Sequence, residues 1–149
     1  MEILGKLIDL SAAMIVMMIL PVLWALGMQE KLVMKYAGMC GSEFTEDVCH
    51  HGGISLERYE AFINGLTAAG TGFLVEIECR SEVTEPVYEN GIFTGRTFNY
   101  ESICHKDEIL DAVYSSGQCW FDPGTMFCLT ISRNERKLYV SGTINGNSG

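Results

Sequence analysis

The sequence predicts an α+β fold. A long N-terminal helix, hydrophobic at first and amphipathic later, precedes a small disulfide-stapled domain with an antiparallel sheet and two short helices. Three observations carry this prediction. Leu10 to Met28 is a run of nineteen residues without a charge. All six cysteines lie beyond residue 39. Among them, one segment has the 3.6-residue rhythm of a helix and the next alternates like a strand.

As a helix the nineteen-residue run rises about 28 Å, close to the thickness of a bilayer's hydrocarbon core. A signal peptide fits less well, because "MEILGKLID" carries as much acid as base and no A-x-A site follows before the polar region. Apolar residues continue as Leu32, Val33, Tyr36 and Ala37 among Glu30, Lys31 and Lys35, so the helix is expected to run to about Met39 as a one-sided element. This divides the chain into an N-terminal helix, 1–39, and an α+β domain, 40–149. Pro21 removes one backbone donor and is expected to kink or locally melt the helix around Val16 to Met18. Asp9 stands at the entrance to the apolar run, where a carboxylate is costly unless paired or near water. Two roles fit it. It caps the helix at headgroup level, or it pairs with a cation of a neighbouring copy, most simply an α-amino group.

Beyond residue 40 there are sixteen Asp or Glu against seven Lys or Arg, which accounts for the whole net charge of −9. Without a basic stripe, nothing displaces phosphate counterions, so no nucleic-acid-binding surface is expected. Six cysteines after a membrane-length helix read as three disulfides formed outside the cytosol, which also orients the C-terminal part outward. The lysines do not decide orientation, with Lys6 before the run and Lys31 and Lys35 after it.

Within the domain, "CGSEFTEDVCHHGG" from Cys40 to Gly53 reads as an acidic loop that a Cys40–Cys49 bridge could close. Cys49-His50-His51 lacks the spacings of a zinc site. "ISLERYEAFINGLTAAG" is a helix capped by Ser55, with Glu57 in its first turn, an apolar face of Tyr59, Phe62, Ile63 and Leu66, and Gly70 at its end. "GFLVEIECRSE" is a half-buried strand with Phe73, Val75, Ile77 and Cys79 on one face and Glu76, Glu78 and Arg80 on the other. Residues 82–100 read as a loop-rich insertion in which Asn90-Gly91 turns a short hairpin. "HKDEILDAVYSSG" is a second, short helix with Ile109, Leu110 and Val113 facing inward. Three strands follow, joined by turns at Pro123-Gly124 and Asn134-Glu135. A two-residue turn at Pro123-Gly124 sets Cys119 opposite Cys128 as a second bridge, and elimination leaves Cys79 with Cys104.

No motif of catalysis emerges. G-x-S-x-G and the phosphate-binding G-x-x-x-x-G-K-[ST] are absent, and Glu76 with Glu78 reads as a solvated strand face. Neither an enzyme nor a cofactor or metal site is expected.

Asp9, the run Leu10 to Met28 and Pro21 give the chain its resemblance to the type IV pilin superfamily, including pilins and pseudopilins of Tad and secretion systems. "ISLERYEAFINGLTAAGTGFLVEIECR" also looks like a pattern of pilin-like proteins from anaerobic Gram-positive bacteria. The resemblance implies a cell-surface filament built from copies of this chain, with the subunit held in the membrane, alongside pilus-assembly machinery, before it polymerises. It implies that Asp9 meets the terminal amine of a neighbour, either at Met1 or, if Gly5 precedes a cleavage site, at Lys6. It further implies that Pro21 marks a helix region that melts on assembly. Two other readings remain open: a bitopic membrane component of a secretion or conjugation apparatus, and an extracytoplasmic enzyme or binding module.

Overall fold

The computed structural model describes residues 2–145, apart from the side chains of Glu2 and Leu4. Helix α1 spans Glu2–His51. The chain divides into two compact units, Met1–Tyr36 and Ala37–Gly149.

The first unit is helix from Glu2 onward, and α1 stays helical through Val16 to Met18 and through Pro21. The expected melting is therefore not seen: the one donor that proline lacks leaves the bonds of the turns on either side in place. Asp9 lies within α1 rather than at its start, which removes the capping role.

In the second unit α1 continues to His51, where the sequence had suggested a loop from Cys40. The helix there is amphipathic. Ala37, Phe44, Thr45 and Val48 are buried, while Glu43 and Glu46 face solvent. Gly41 lets it lie close to the sheet, since a Cβ there would come within 2.8 Å of the end of Ile131 and 3.3 Å of Leu129. At the C-terminal end Asp47 holds Arg58 at 2.9 Å and His51 at 3.0 Å.

Strand β1, Gly53–Ser55, leads into helix α2, Leu56–Ala69. This helix follows its sequence signals. Ser55 accepts from the Arg58 amide at 3.4 Å, Tyr59, Phe62 and Leu66 are buried, Ile63 is half-buried, and the Gly70 amide closes the last turn. The cap bond is long, so Ser55→Ala is expected to cost about 0.5–1 kcal/mol, the lower part of the range for a lost cap. A urea titration of the two proteins would measure it, and a loss above about 2 kcal/mol would contradict a role confined to capping.

Strands β2 (Leu74–Glu89) and β3 (Ile92–His105), helix α3 (Lys106–Ser116), and strands β4 (Gln118–Trp120), β5 (Met126–Arg133) and β6 (Arg136–Thr143) complete the domain. A four-stranded antiparallel sheet runs β3-β2-β5-β6, and a second, small sheet pairs β1 with β4. Val75, Ile77 and Cys79 of β2 and Phe127, Leu129 and Ile131 of β5 all point to one face. They share a core with Phe44 and Val48 of α1, Phe62 and Leu66 of α2, and Ile109 and Val113 of α3. Helix α3 buries Ile109 and Val113 as its spacing predicts, with Leu110 half-buried. Phe44 stacks on Phe62 with ring centroids 4.4 Å apart and meets Phe127 edge-on at 6.0 Å.

Two local readings need correction. Residues 82–100 are a regular ribbon rather than a loop-rich insertion: β2 and β3 pair from Glu78–His105 to Glu89–Ile92, with one bulge between Pro86 and Tyr88. Asn90 (φ 53°) and Gly91 (φ 80°) form its turn, both left-handed as a two-residue hairpin of this kind requires. Second, the turn at Pro123-Gly124 forms but makes no hairpin. The Thr125 amide bonds to Asp122 O at 3.1 Å and Gly124 has φ 88°, the geometry of a type II turn. Its twist opposes that of paired strands, and β4 pairs with β1 while β5 pairs with β2 and β6.

The disulfide staples are not present, since all six cysteines are free thiols. Cys40 and Cys49 sit on one continuous helix, and nine residues of rise set them roughly 13–14 Å apart along its axis, beyond the about 7 Å a bridge can span. Cys119 faces Ile54 in the small sheet, while Cys128 faces Glu78 and Ser141 in the large one. Cys79 and Cys104 do lie opposite each other on β2 and β3, yet both remain thiols. Burial, and then neighbouring thiols, push Cys79 far up from the usual thiol range. Burial, with a hydrogen bond from the Cys104 thiol to the Glu108 carboxylate, pushes Cys104 up to about 11. The reactive thiolate is thereby disfavoured at both. The domain is held by its core and sheet, not by covalent links.

Raised thiol pKa values mean that the folded state keeps protons which the unfolded chain releases. The stabilisation from Cys79 and Cys104 is complete below the unfolded thiol pKa of 9.0 and is lost as pH rises toward about 11 and beyond. At pH 8 about one Cys104 in a thousand is thiolate, so its alkylation by iodoacetamide is expected to be at least tenfold slower in the native protein than in urea. Equal rates, read by peptide mass spectrometry, would contradict the Cys104–Glu108 arrangement.

Candidate assembly surface

The first surface is the apolar part of α1. The helix contains a stretch long and apolar enough to cross a membrane, and the most apolar window of that stretch is 0% buried within the chain. Met17 is 80% exposed, and Leu10, Ile15, Leu20 and Trp24 are also exposed, so the apolar side chains look outward all round the helix. A polar solvent does not tolerate a patch of this extent, and lipid or protein must cover it. Asp9 and Lys6 are exposed at its N-terminal side and Pro21 is exposed within it. Met1 lies outside the described residues. Asp9 and Pro21 thus share the uncovered helix, and no cysteine lies in that unit.

The second surface is the free part of the sheet. β5 pairs with β2 only from Leu74 to Arg80, so beyond Arg80 the β2–β3 ribbon continues as two strands alone. Tyr88, Ile92, Phe93 and Phe98 are exposed on it. Tyr88 packs on Phe93 at 5.9 Å, Phe98 stacks on Tyr100 at 6.0 Å, and the Tyr100 hydroxyl donates to Glu85 at 2.9 Å. That bond, ahead of desolvation, raises the Tyr100 pKa. Tyr88–Phe93 and Tyr100–Glu85 cross from β2 to β3 and help hold the ribbon, while Phe98 and Tyr100 are neighbours along β3.

At the root of the ribbon a groove of about 470 Å³ is lined by Arg80, Glu82, Asn99, Tyr100, Glu101 and Met126. Glu82 and Glu101 are directly opposite each other, an unfavourable like-charge pair. Arg80 lies 3.1 Å from Glu78 and 3.9 Å from Glu101. Glu78 also approaches His105 at 3.9 Å. Glu78 is thus an ion-pair partner on the sheet's outward face, and Glu76 is simply exposed beside it, which matches the solvated strand face read from the sequence. Among the described residues, no group of three or more His, Cys, Asp or Glu is arranged to hold a metal ion.

Sequence reasoning missed the ribbon as a surface. Its signal was present in the β-branched and aromatic residues Val83, Val87, Phe93, Phe98 and Tyr100, but exposure on both faces gave no hydrophobic side to read. Compared with known proteins, the chain matches no family model, no curated protein and no solved structure.

Proposed function

We propose that the chain is the structural subunit of an extracellular filament of the type IV pilin kind, held in the membrane by α1 before assembly and packed through α1 afterwards. The observation that carries this reading is the uncovered apolar helix with a carboxylate, Asp9, inside it, attached to a compact α+β domain. Lipid covers the apolar side chains of a lone subunit but sets the Asp9 carboxylate at the edge of hydrocarbon, where a charge is costly. A bundle of copies covers the same side chains and brings a neighbour's terminal amine to Asp9, an interaction that strengthens as water is excluded. With the thiols free, outward orientation of the domain rests on this assembly and not on disulfide chemistry.

The test is microscopy of material sheared from producing cells, with the N-terminal residue of the same sample read by mass spectrometry and protease added to intact cells. Filaments that begin at Met1 or Lys6, with a domain cleaved from outside, are the expected result. Asp9→Ala is expected to lower filament yield at least tenfold without lowering the membrane-bound subunit. A protein that stays in the detergent fraction as a monomer, with its domain protected in intact cells, sinks the filament reading and leaves a bitopic membrane component.

A further inference from the structure

We propose that neighbouring domains join edge to edge, the β3 edge of one copy accepting the β6 edge of the next. This inference rests on the filament reading and supplies its second contact, separate from the helix bundle.

β3 and β6 are the two edges of the four-stranded sheet. A two-stranded ribbon is marginal alone in water and gains from a further strand. The two sides of the ribbon are not equivalent. The β2 side carries Pro86, which has no amide to donate, beside the bulge between Pro86 and Tyr88, and both features blunt an edge. β3 from Thr97 to His105 has no proline, pairs regularly with β2, and lies past Gly95, whose φ of 75° marks the irregular part. The part of this stretch from Thr97 to Ser102 takes six residues of β6, Arg136 to Ser141.

Direction and charge select the partner. Each neighbouring pair in the order β3-β2-β5-β6 is antiparallel, so β3 and β6 run in opposite senses. A second copy in the same orientation therefore meets the first through an antiparallel ladder. From Ser81 to Glu101 the ribbon has Glu82, Glu85, Glu89 and Glu101 against Arg96 alone. β6 begins with Arg136 and Lys137. Two β6 edges have no acid to offer these cations, and two ribbons bring four acids against one cation each, whereas ribbon and β6 attract. The contact is thus heterologous, and a repeated heterologous contact generates a ring or a helical filament.

An antiparallel register with Lys137 opposite Glu101 sets Tyr139 opposite Asn99 and Ser141 opposite Thr97. Glu101 shares the outward face with Arg80 and Glu82, and Lys137 shares it through Ser132 and Leu74. The register therefore keeps outward residues outward, places a cation beside the Glu82–Glu101 pair, and covers one side of Tyr139, which is 73% exposed.

Zero-length carbodiimide coupling of the full-length chain in producing cells, followed by peptide mass spectrometry, tests this directly. Within one copy Lys137 and Glu101 lie on opposite sheet edges, level with Leu74 and Glu82 of β2, so three strand spacings across and eight residues along the strands set them roughly 30 Å apart, and a Lys137–Glu101 isopeptide reports two copies. The expected result is that link, with filaments per cell falling at least tenfold in Lys137→Glu and in Glu101→Lys and returning to within twofold in the double swap. Filaments without the link, or with yield unchanged in both single variants, overturn the edge contact and leave the filament reading standing. The link in a membrane fraction that makes no filaments upholds the edge contact and sinks the filament reading. Neither link nor filaments overturns both.

Discussion

Replacing Phe127 with alanine is expected to lower the domain's stability by about 3–5 kcal/mol. Phe127 is fully buried on β5, edge-on to Phe44 at 6.0 Å and tilted to Phe121 at 6.2 Å. The side chain thus joins α1 and the β4–β5 connection to the sheet, and its removal leaves a cavity whose walls belong to separate elements. Aromatic pairing adds about 0.5–1.5 kcal/mol per contact beyond the area buried. A domain of this size has a net stability of about 5–15 kcal/mol, so the substitution removes a large part of it. With no disulfide holding the chain, no covalent constraint limits the loss. Thermal unfolding of the full chain in detergent, followed in the near ultraviolet, should show a midpoint lowered by roughly 12–20 °C. A change of only a few degrees would mean that the core around Phe127 is looser than the packing described.

The second large effect concerns the apolar helix. Ile19 lies at the centre of Leu10 to Met28, and that run contains eight Leu, Ile and Val residues. On the insertion scale they contribute roughly −2 to −5 kcal/mol together, and an arginine at the centre costs about 2.5–3.5 kcal/mol. Ile19→Arg therefore offsets most of the driving force for spanning. The expected outcome is transfer of most of the protein from the carbonate-resistant membrane pellet to the soluble or degraded fraction. Ile19→Leu should leave it in the pellet. Retention of the arginine variant at the wild-type level would show that α1 is not held by hydrocarbon.

Helices α2 and α3 were legible because each carries its own start, stop and apolar stripe within one short segment. Ser55, Glu57 and Gly70 bound the first, while Ile109 and Val113 set the inward face of the second. The first half of β2 was legible for a similar reason, since Val75, Ile77 and Cys79 alternate with Glu76, Glu78 and Arg80. The turn at Asn134-Glu135, with both residues left-handed, joins β5 to β6 where the sequence places it. The extension of α1 past Met39 was obscured by Gly38 and Gly41 and by the acids of "SEFTED". Glycine disfavours a helix interior in isolation, but at Gly41 the missing Cβ admits the side chains of Ile131 and Leu129. The candidate surface was legible on the helix, where the uncharged run and Asp9 stand out. It was not legible on the sheet, where an edge exists only once the strand order is known.

The sequence by itself determined what local rhythm and composition determine: an α+β chain with a membrane-length apolar helix, an acidic domain, two short helices, the first half of β2 and the three C-terminal strands. The tertiary structure decided which segments meet. It paired β4 with β1 because the type II turn at Pro123-Gly124 twists against a hairpin, and it placed Cys40 and Cys49 along one helix beyond bridging distance. It also left β3 and β6 as open edges, β6 with two cations at its start and β3 at the border of an acidic ribbon. Local preferences act over a few residues, whereas strand partners, thiol neighbours and free edges depend on contacts between segments far apart in the chain, which no short stretch of sequence specifies.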